Sequence, residues 1–281
     1  MLSSIIVIPC YNEEQRLQGE TFLRYVASSQ STRLLFVNDG STDGTSDVLR
    51  HLAEQAPQAI DVCDLPQNGG KAEAVRQGLL AALTTDAECL GFLDADLASP
   101  LESIPLFLDV FQRRPDIDVV IGSRLPLLGR HIHRNAKRQI LGRLFASVAS
   151  QVLWTPVRDT QCGAKMFRNS SLLRTALSRP FLARWIFDVE LLARMKQLRQ
   201  SQGDRPLDEV VFEQPLDEWY EVAGSKLRLR DFARAPWELV QIYFRYLSPW
   251  AEVANADVFP MPLIRPFERI PAAHHPGRKT A

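Results

Sequence analysis

Through the first 125 residues, short aliphatic runs alternate with segments of helical period, and this alternation constrains the fold more than any other feature of the chain. Residues 2–10 form a β-branched run closed by Pro9-Cys10. Leu34-Leu35-Phe36-Val37 follows and is stopped by the turn formers Asn38-Asp39-Gly40-Ser41; then come a weaker run from Ile60 to Leu65, and two more, Cys89 to Leu93 and Asp118 to Ile121. Between them Leu17, Phe22, Leu23 and Val26, then Val48, Leu49 and Leu52, then Ala74, Val75, Leu79 and Leu80 recur at helical spacing. Runs without polar alternation are those of strands buried on both faces. Strand–helix alternation with short connections predicts a parallel α/β sheet with right-handed crossovers.

In such a sheet the ligand crevice lies beyond the carboxyl ends of the strands. Those ends read Pro9-Cys10-Tyr11-Asn12-Glu13, Asn38-Asp39-Gly40, Asp94-Ala95-Asp96 and Gly122-Ser123-Arg124, so polar and charged residues converge on one edge. Asp94 and Asp96 flank one small residue and could share a hard divalent cation that bridges to a diphosphate, although two such carboxylates also suit a solvated turn. Asp39 could accept the N3–H of a uracil ring; its neighbours Ser41 and Asp43 could equally cap the next helix. Asn68-Gly69-Gly70-Lys71 offers backbone N–H groups and a cation to a phosphate, or is a glycine turn with a surface lysine.

The second half loses the alternation. From Val119 to Arg158 there is no Asp or Glu, while Arg124, Arg130, Arg134, Lys137, Arg138 and Arg143 supply six cations, a stretch that asks for a phosphate or an acidic membrane face. Apolar stripes at Ile140–Leu153, Phe187–Leu198 and Trp237–Leu247 predict three helices with core-facing sides. Asp188 falls on the apolar side of the second, as an N-cap or as a group aimed into a site; Glu190 pairs with Arg194 at i+4 on the exposed side. The last residues hold Pro260, Pro262, Pro266, Pro271 and Pro276 and read as a loosely ordered tail.

Lys plus Arg and Asp plus Glu are 33 each, so the chain lacks the basic excess of a duplex-wrapping protein, and no nucleic-acid partner is expected. The four cysteines are scattered, which suggests neither a zinc site nor a disulfide framework. The N-terminus lacks a basic region before its short apolar run. The longest relevant charge-free stretch, between Arg143 and Arg158, is 14 residues, short of the roughly 20 a spanning helix needs. The expectation is a cytoplasmic protein with, at most, peripheral membrane contact.

Together these residues resemble the family 2 glycosyltransferases of GT-A fold. The resemblance rests on Val7-Ile8-Pro9-Cys10-Tyr11-Asn12-Glu13-Glu14, the stretch from Val37 to Thr45, Asn68-Gly69-Gly70-Lys71 and Asp94-Ala95-Asp96. The second half, through Gly122-Ser123-Arg124, Arg158-Asp159-Thr160-Gln161-Cys162-Gly163, the run Arg184–Leu192 and Gly224-Ser225-Lys226, is similar to the polyprenyl-phosphate branch, most of all to dolichyl-phosphate glucosyltransferases. The resemblance implies a Rossmann-like, mostly parallel sheet flanked by helices over residues 1–225, a helical segment over 226–254 and the Pro-rich tail over 255–281. It implies that Pro9, Tyr11, Glu13, Asp39 and Lys71 hold the nucleotide sugar, and that Asp94 and Asp96 hold the ribose and an Mg²⁺ or Mn²⁺ ion. Arg124 and Lys226 would meet phosphates, Asp159 and Gln161 would line the acceptor side, and Asp188 would join the catalytic set. Ala98, where mannosyl-transferring relatives often carry Gln, leans toward the glucosyl branch.

The implied reaction is inverting transfer of glucose from UDP-glucose to a polyprenyl phosphate. Its rivals are a GDP-mannose donor, a soluble hydroxyl acceptor on the same fold, and a silent nucleotide-sugar binding module. Trp237, Tyr243, Phe244, Tyr246 and Trp250 could form an interfacial helix, although such a stripe is more commonly core.

Overall fold

The computed structural model describes residues 2–133, 136–220, 222 and 229–251. The expected alternation is present: β1 (Ser4–Cys10), α1 (Gly19–Ser28), β2 (Thr32–Asn38), α2 (Thr45–Gln55), β3 (Ile60–Asp64), α3 (Lys71–Ala82), β4 (Cys89–Leu93), α4 (Ser103–Arg113) and β5 (Val119–Ser123). Then follow β6 (His131–His133), α5 (Ala136–Leu153), β7 (Ala164–Arg168), α6 (Ser171–Leu177), α7 (Phe187–Gln202), α8 (Leu207–Val210), β8 (Val211–Pro215), β9 (Glu218–Tyr220) and α9 (Leu229–Ile242). The last helix runs into a π-helical turn, Tyr243–Leu247.

Seven strands form one sheet in the order β3-β2-β1-β4-β7-β5-β8, and β6 and β9 form a separate parallel pair. The sheet is mostly parallel, as expected; its antiparallel strand is β7, which lies between β4 and β5. It returns the chain along the sheet and sets Ala164 opposite Leu93, so Gly163 arrives beside Asp94. The alternation of side chains along each strand splits the core into two layers. Ile5 and Val7 face a layer with α3, α6, α7 and α9; Ile6, Ile8 and Cys10 face one with α1 and α4. Helix α3 lies close on the sheet because Gly78 has no side chain: a Cβ there would come within 2.4 Å of Val7 Cγ1.

Helix α7 departs from its expected amphipathic face. Residues Phe187 to Met195 are all buried, Glu190 at 0 % exposure and Arg194 at 5 %, so the i+4 pair is real but lies in the interior. It survives there because it is saturated: Glu190 accepts from Arg194, Tyr246 Oη, and the N–H groups of Leu182 and Ala183, while Arg194 also donates to the carbonyls of Ala176, Arg179 and Pro180. The third stripe is corrected too. Leu239, Ile242 and Tyr246 are the core face of α9 and its π-turn, whereas Trp237, Val240 and Phe244 are exposed. No helix among the described residues is long and apolar enough to cross a membrane. Lys226, the 225/226 boundary and the Pro-rich tail lie outside the described residues.

Candidate active site

The first strand end is shaped by proline and asparagine. Pro9 lies past Val7, the last residue of β1 paired with β4, so its missing N–H interrupts no ladder bond there. Asn12 adopts a left-handed φ of 49°, its N–H donates to Ser41 Oγ (3.0 Å), and its Oδ1 accepts from Thr42 N (2.9 Å), which ties the first crevice loop to the second. Glu13 is buried, its N–H donates to Thr45 Oγ1 (2.8 Å), and its carboxylate pairs with Arg16 (2.8 Å).

Asp39 is 2 % exposed at the end of β2 and anchors the glycine turn. Its Oδ1 accepts from Gly69 N (2.7 Å), and its Oδ2 from Gly70 N (2.8 Å) and Asn68 Nδ2 (3.0 Å). Burial raises its pKa, and the two backbone donors only partly oppose this. The amides expected to meet a phosphate are therefore directed at Asp39, and Lys71 is the group this turn sends toward the crevice. Gly70, at a φ of 87°, makes the left-handed step that starts α3 at Lys71.

Lys71 Nζ lies 2.5 Å from Asp94 Oδ1. Burial of the ammonium opposes its charge, but Asp94, Asp188 and Asp96 outweigh that cost and raise its pKa. Asp96 has a raised pKa, first through burial and then through Asp94 beside it; its Oδ1 accepts from Ala98 N (3.0 Å) across Leu97, held at a φ of 55°. The backbone N–H of Asp94 donates to Gly163 O (3.2 Å), and the carboxylate lies flat on Gly163: a Cβ there would sit 2.1 Å from Oδ2. Gly163→Ala is expected to push Asp94 off this wall. Activity should fall at least about tenfold while unfolding free energy changes by about 1 kcal/mol or less. Steady-state turnover and urea melts on the same preparation check this, and unchanged turnover would refute it.

Two further ion pairs complete the site. Arg124, at the end of β5, clamps Asp159 through Nε (2.7 Å), Nη2 (2.6 Å) and its backbone N–H (2.9 Å), and lies over the Trp219 ring. Glu213 Oε1 in turn accepts from the N–H groups of Arg158 and Asp159, both at 2.8 Å. Asp188 is the second residue of α7 and not its N-cap, which is Ile186; it pairs with Lys165 Nζ at 2.7 Å, and both side chains are buried. Gln161 Nε2 has no hydrogen-bond partner among the described residues.

The acid-free stretch is thus answered from elsewhere: Arg124 pairs with Asp159 and Arg130 with Asp217. Side chains of Arg134, Lys137, Arg138 and Arg143 lie outside the described residues. The crevice brings together Asp39, Lys71, Asp94, Asp96 and Asp188, with Lys165 and Gly163 beneath. From sequence alone Gly163 had no role, although it closes one of the stretches that carry the resemblance, and Lys165 was not singled out. A lysine inside the apolar run Ala164-Lys165-Met166-Phe167 was the available signal, since a buried ammonium needs a carboxylate partner.

Asp94 and Asp96 suit a hard divalent cation as a pair of oxygen donors, one of them seated on a wall that only glycine allows. Among the described residues no three His, Cys, Asp or Glu side chains form a group that could hold a metal ion, so the pair offers such an ion a partial shell.

A mostly parallel sheet of this order, with paired carboxylates and a lysine at its strand ends, defines a glycosyltransferase of GT-A fold. The chain belongs to glycosyl transferase family 2, whose model matches residues 5–174. It is similar to dolichyl-phosphate beta-glucosyltransferase ALG5C of Trichomonas vaginalis, with 31 % identity over 89 % of this chain and 74 % of the relative. The Drosophila melanogaster dolichyl-phosphate beta-glucosyltransferase is 32 % identical over 86 % of this chain and 74 % of its own length; for the Homo sapiens protein the figures are 30 %, 86 % and 75 %. These relatives bear out the polyprenyl-phosphate resemblance and make the chain a hexosyltransferase. Among solved structures, glucosyl-3-phosphoglycerate synthase from Mycobacterium tuberculosis, in complex with Mn²⁺ and UDP-glucose, superposes with a TM-score of 0.59. The identity is 19 %, over 86 % of this chain and 77 % of that one, a likeness of fold.

Proposed function

We propose that this protein transfers glucose from UDP-glucose to a polyprenyl phosphate with inversion, giving a β-linked lipid-phosphate sugar. One observation carries the choice of acceptor. The two carboxylates best placed to act as a general base, Asp159 and Asp188, are each neutralised by a cation, Arg124 at 2.6 Å and Lys165 at 2.7 Å. With both already engaged in ion pairs, neither is placed to take a proton from a hydroxyl, which suits an acceptor that is already anionic and needs no deprotonation. The names of the relatives point the same way.

Asp39, with Pro9, Tyr11 and Glu13 around it, would hold the uridine, one Asp39 oxygen keeping acceptor capacity beside Gly69 N. Asp94 and Asp96 would hold Mg²⁺ or Mn²⁺, which neutralises charge on a departing diphosphate. Lys71 would follow the diphosphate, and Gln161, whose amide lacks a partner, would reach the acceptor. Arg124, committed to Asp159, would orient the acceptor side and offset phosphate repulsion. Lys226 is proposed as a further phosphate contact.

Delivery of the lipid would use the exposed face of α9. Trp237, Val240 and Phe244 recur at i, i+3 and i+7 with Arg234 and Arg245 beside them, a composition suited to a peripheral seat on the cytoplasmic face of a membrane. Glu238, on the opposite side, lies within 3.3 Å of the N–H groups of Arg184, Trp185 and Ile186 at the start of α7, two residues from Asp188.

The test is UDP release by purified protein with Mg²⁺ or Mn²⁺ and UDP-glucose, with no acceptor, a short-chain polyprenyl phosphate, or a long-chain one in vesicles. Release that depends on the lipid phosphate is expected. Trp237→Ser with Phe244→Ser should lower the vesicle rate and spare the short-chain rate. Slow release indifferent to lipid would overturn the acceptor in favour of a hydroxyl. Release only with GDP-mannose would overturn the donor, and binding without turnover would favour a silent module.

A further inference from the structure

We propose that Lys71 is a built-in counter-ion for the Asp94/Asp96 pair, so that divalent metal and nucleotide diphosphate bind this protein as an obligate couple and metal alone is excluded. The inference rests on reading these carboxylates as the seat of the metal, and it assigns Lys71 a role that precedes any contact with substrate.

The geometry points to direct exchange. Lys71 Nζ is 2.5 Å from Asp94 Oδ1, while Oδ2 faces the wall at Gly163, where a Cβ would lie 2.1 Å away. The carboxylate is thus walled on one side and neutralised on the other. A cation that ligates Asp94 Oδ1 must share it with an ammonium at contact distance, which repels it. Asp96 adds a second carboxylate, one of whose oxygens already accepts from Ala98 N. No third His, Cys, Asp or Glu joins the pair among the described residues. A metal with two protein ligands and an adjacent positive charge has little reason to bind.

A diphosphate changes the balance. It brings oxygen ligands for the metal and negative charge for Lys71 together. Lys71 is the first residue of α3, and the Asn68-Gly69-Gly70 turn before it is fastened to Asp39 by four hydrogen bonds. The backbone under Lys71 therefore stays still, and exchange from Asp94 to phosphate is a side-chain movement, for which the partly exposed side chain has room. Asp188, itself held by Lys165, attracts the same ammonium and keeps it within the site once Asp94 has let go. The affinities of metal and diphosphate are then coupled reciprocally, each raising the other by one factor.

The probe is Mn²⁺ binding followed by electron paramagnetic resonance, without nucleotide and with UDP, and with GDP in parallel. Wild-type protein should bind Mn²⁺ alone weakly and bind it much more tightly with the nucleotide diphosphate. Lys71→Met should bind Mn²⁺ alone about tenfold more tightly, as removal of one unit charge a few ångströms away predicts. Its ratio of Mn²⁺ affinities with and without nucleotide should shrink by at least the same factor. Lys71→Arg should stay near wild type, and adding Asp94→Asn to Lys71→Met should abolish the gain.

Mn²⁺ affinity that is unchanged or lower in folded Lys71→Met would overturn the proposal, as would a gain that survives Asp94→Asn. Should Lys71→Met fail to fold, wild-type protein decides alone: Mn²⁺ affinity indifferent to nucleotide refutes the coupling. None of these readouts needs sugar transfer or a lipid. A wrong acceptor would leave them untouched, and their failure would leave the assignment of the acceptor standing.

Discussion

Asp96→Asn is expected to cut metal-dependent turnover about 10³-fold and, at the same time, to raise the free energy of unfolding at neutral pH. The first effect follows from the metal seat proposed at Asp94 and Asp96: a metal held there would supply several kcal/mol to the transition state, and about 4 kcal/mol is three powers of ten in rate. The second follows from the direction of the pKa shift. Burial and the neighbouring Asp94 raise the folded pKa of Asp96 above its unfolded value. A carboxyl shifted that way costs stability once pH climbs past the unfolded value, and the cost is complete above the folded one. Asparagine removes the charge and keeps an Oδ1 to accept from Ala98 N, so the turn through Leu97 remains held. Asp96→Ala should lose as much activity without the gain, because that hydrogen bond goes too. Turnover with urea unfolding at neutral pH decides: a variant both less active and less stable would mean that Asp96 serves the fold and not the metal.

The crevice was legible because a parallel sheet writes its ligand edge into local sequence. Each buried run ends abruptly, and whatever follows must lie at the carboxyl edge; Asp39, Asp94 and Arg124 could be placed there without knowing any strand order. Partners set by strand order were not legible. Arg124 meets Asp159 only because β7 inserts antiparallel beside β5, and the acid-free stretch looked uncompensated because Asp159 lies just past its end and Asp217 comes only after β8. The pair Glu190–Arg194 was readable at i+4, but its face was not. Helix periodicity predicts a solvent side, and α7 has almost none, packed as it is against α5, α6 and the π-turn. The exposed Trp237 and Phe244 invert the same rule. Where a helix presents aromatics on both sides, sequence cannot say which side the core takes, and here Leu239, Ile242 and Tyr246 face inward.

Lys165→Met should be the most destabilising single change in the site, at about 3–5 kcal/mol, because it strands a carboxylate that the fold has already taken out of water. Lys165 is 2 % exposed, its Nζ donates to Cys162 O at 2.7 Å, its ammonium lies 5.4 Å from the centre of the Phe92 ring, and Asp188 Oδ1 is 2.7 Å away. Methionine fills much of the stem's volume but leaves Asp188 buried and unpaired. The double variant Lys165→Met, Asp188→Leu removes both charges and should recover most of that loss, since a neutral, packed pair is often no less stable than a buried ion pair. Its activity should not recover. Asp188 is one of the carboxylates that hold the Lys71 ammonium in the site, and a leucine there supplies no charge. Urea unfolding and turnover, measured on wild type, the single variant and the double, therefore separate the two roles. Stability and activity returning together would reduce Lys165 and Asp188 to a packing pair. A loss below about 1 kcal/mol for Lys165→Met would mean that Asp188 finds water or another partner on its own.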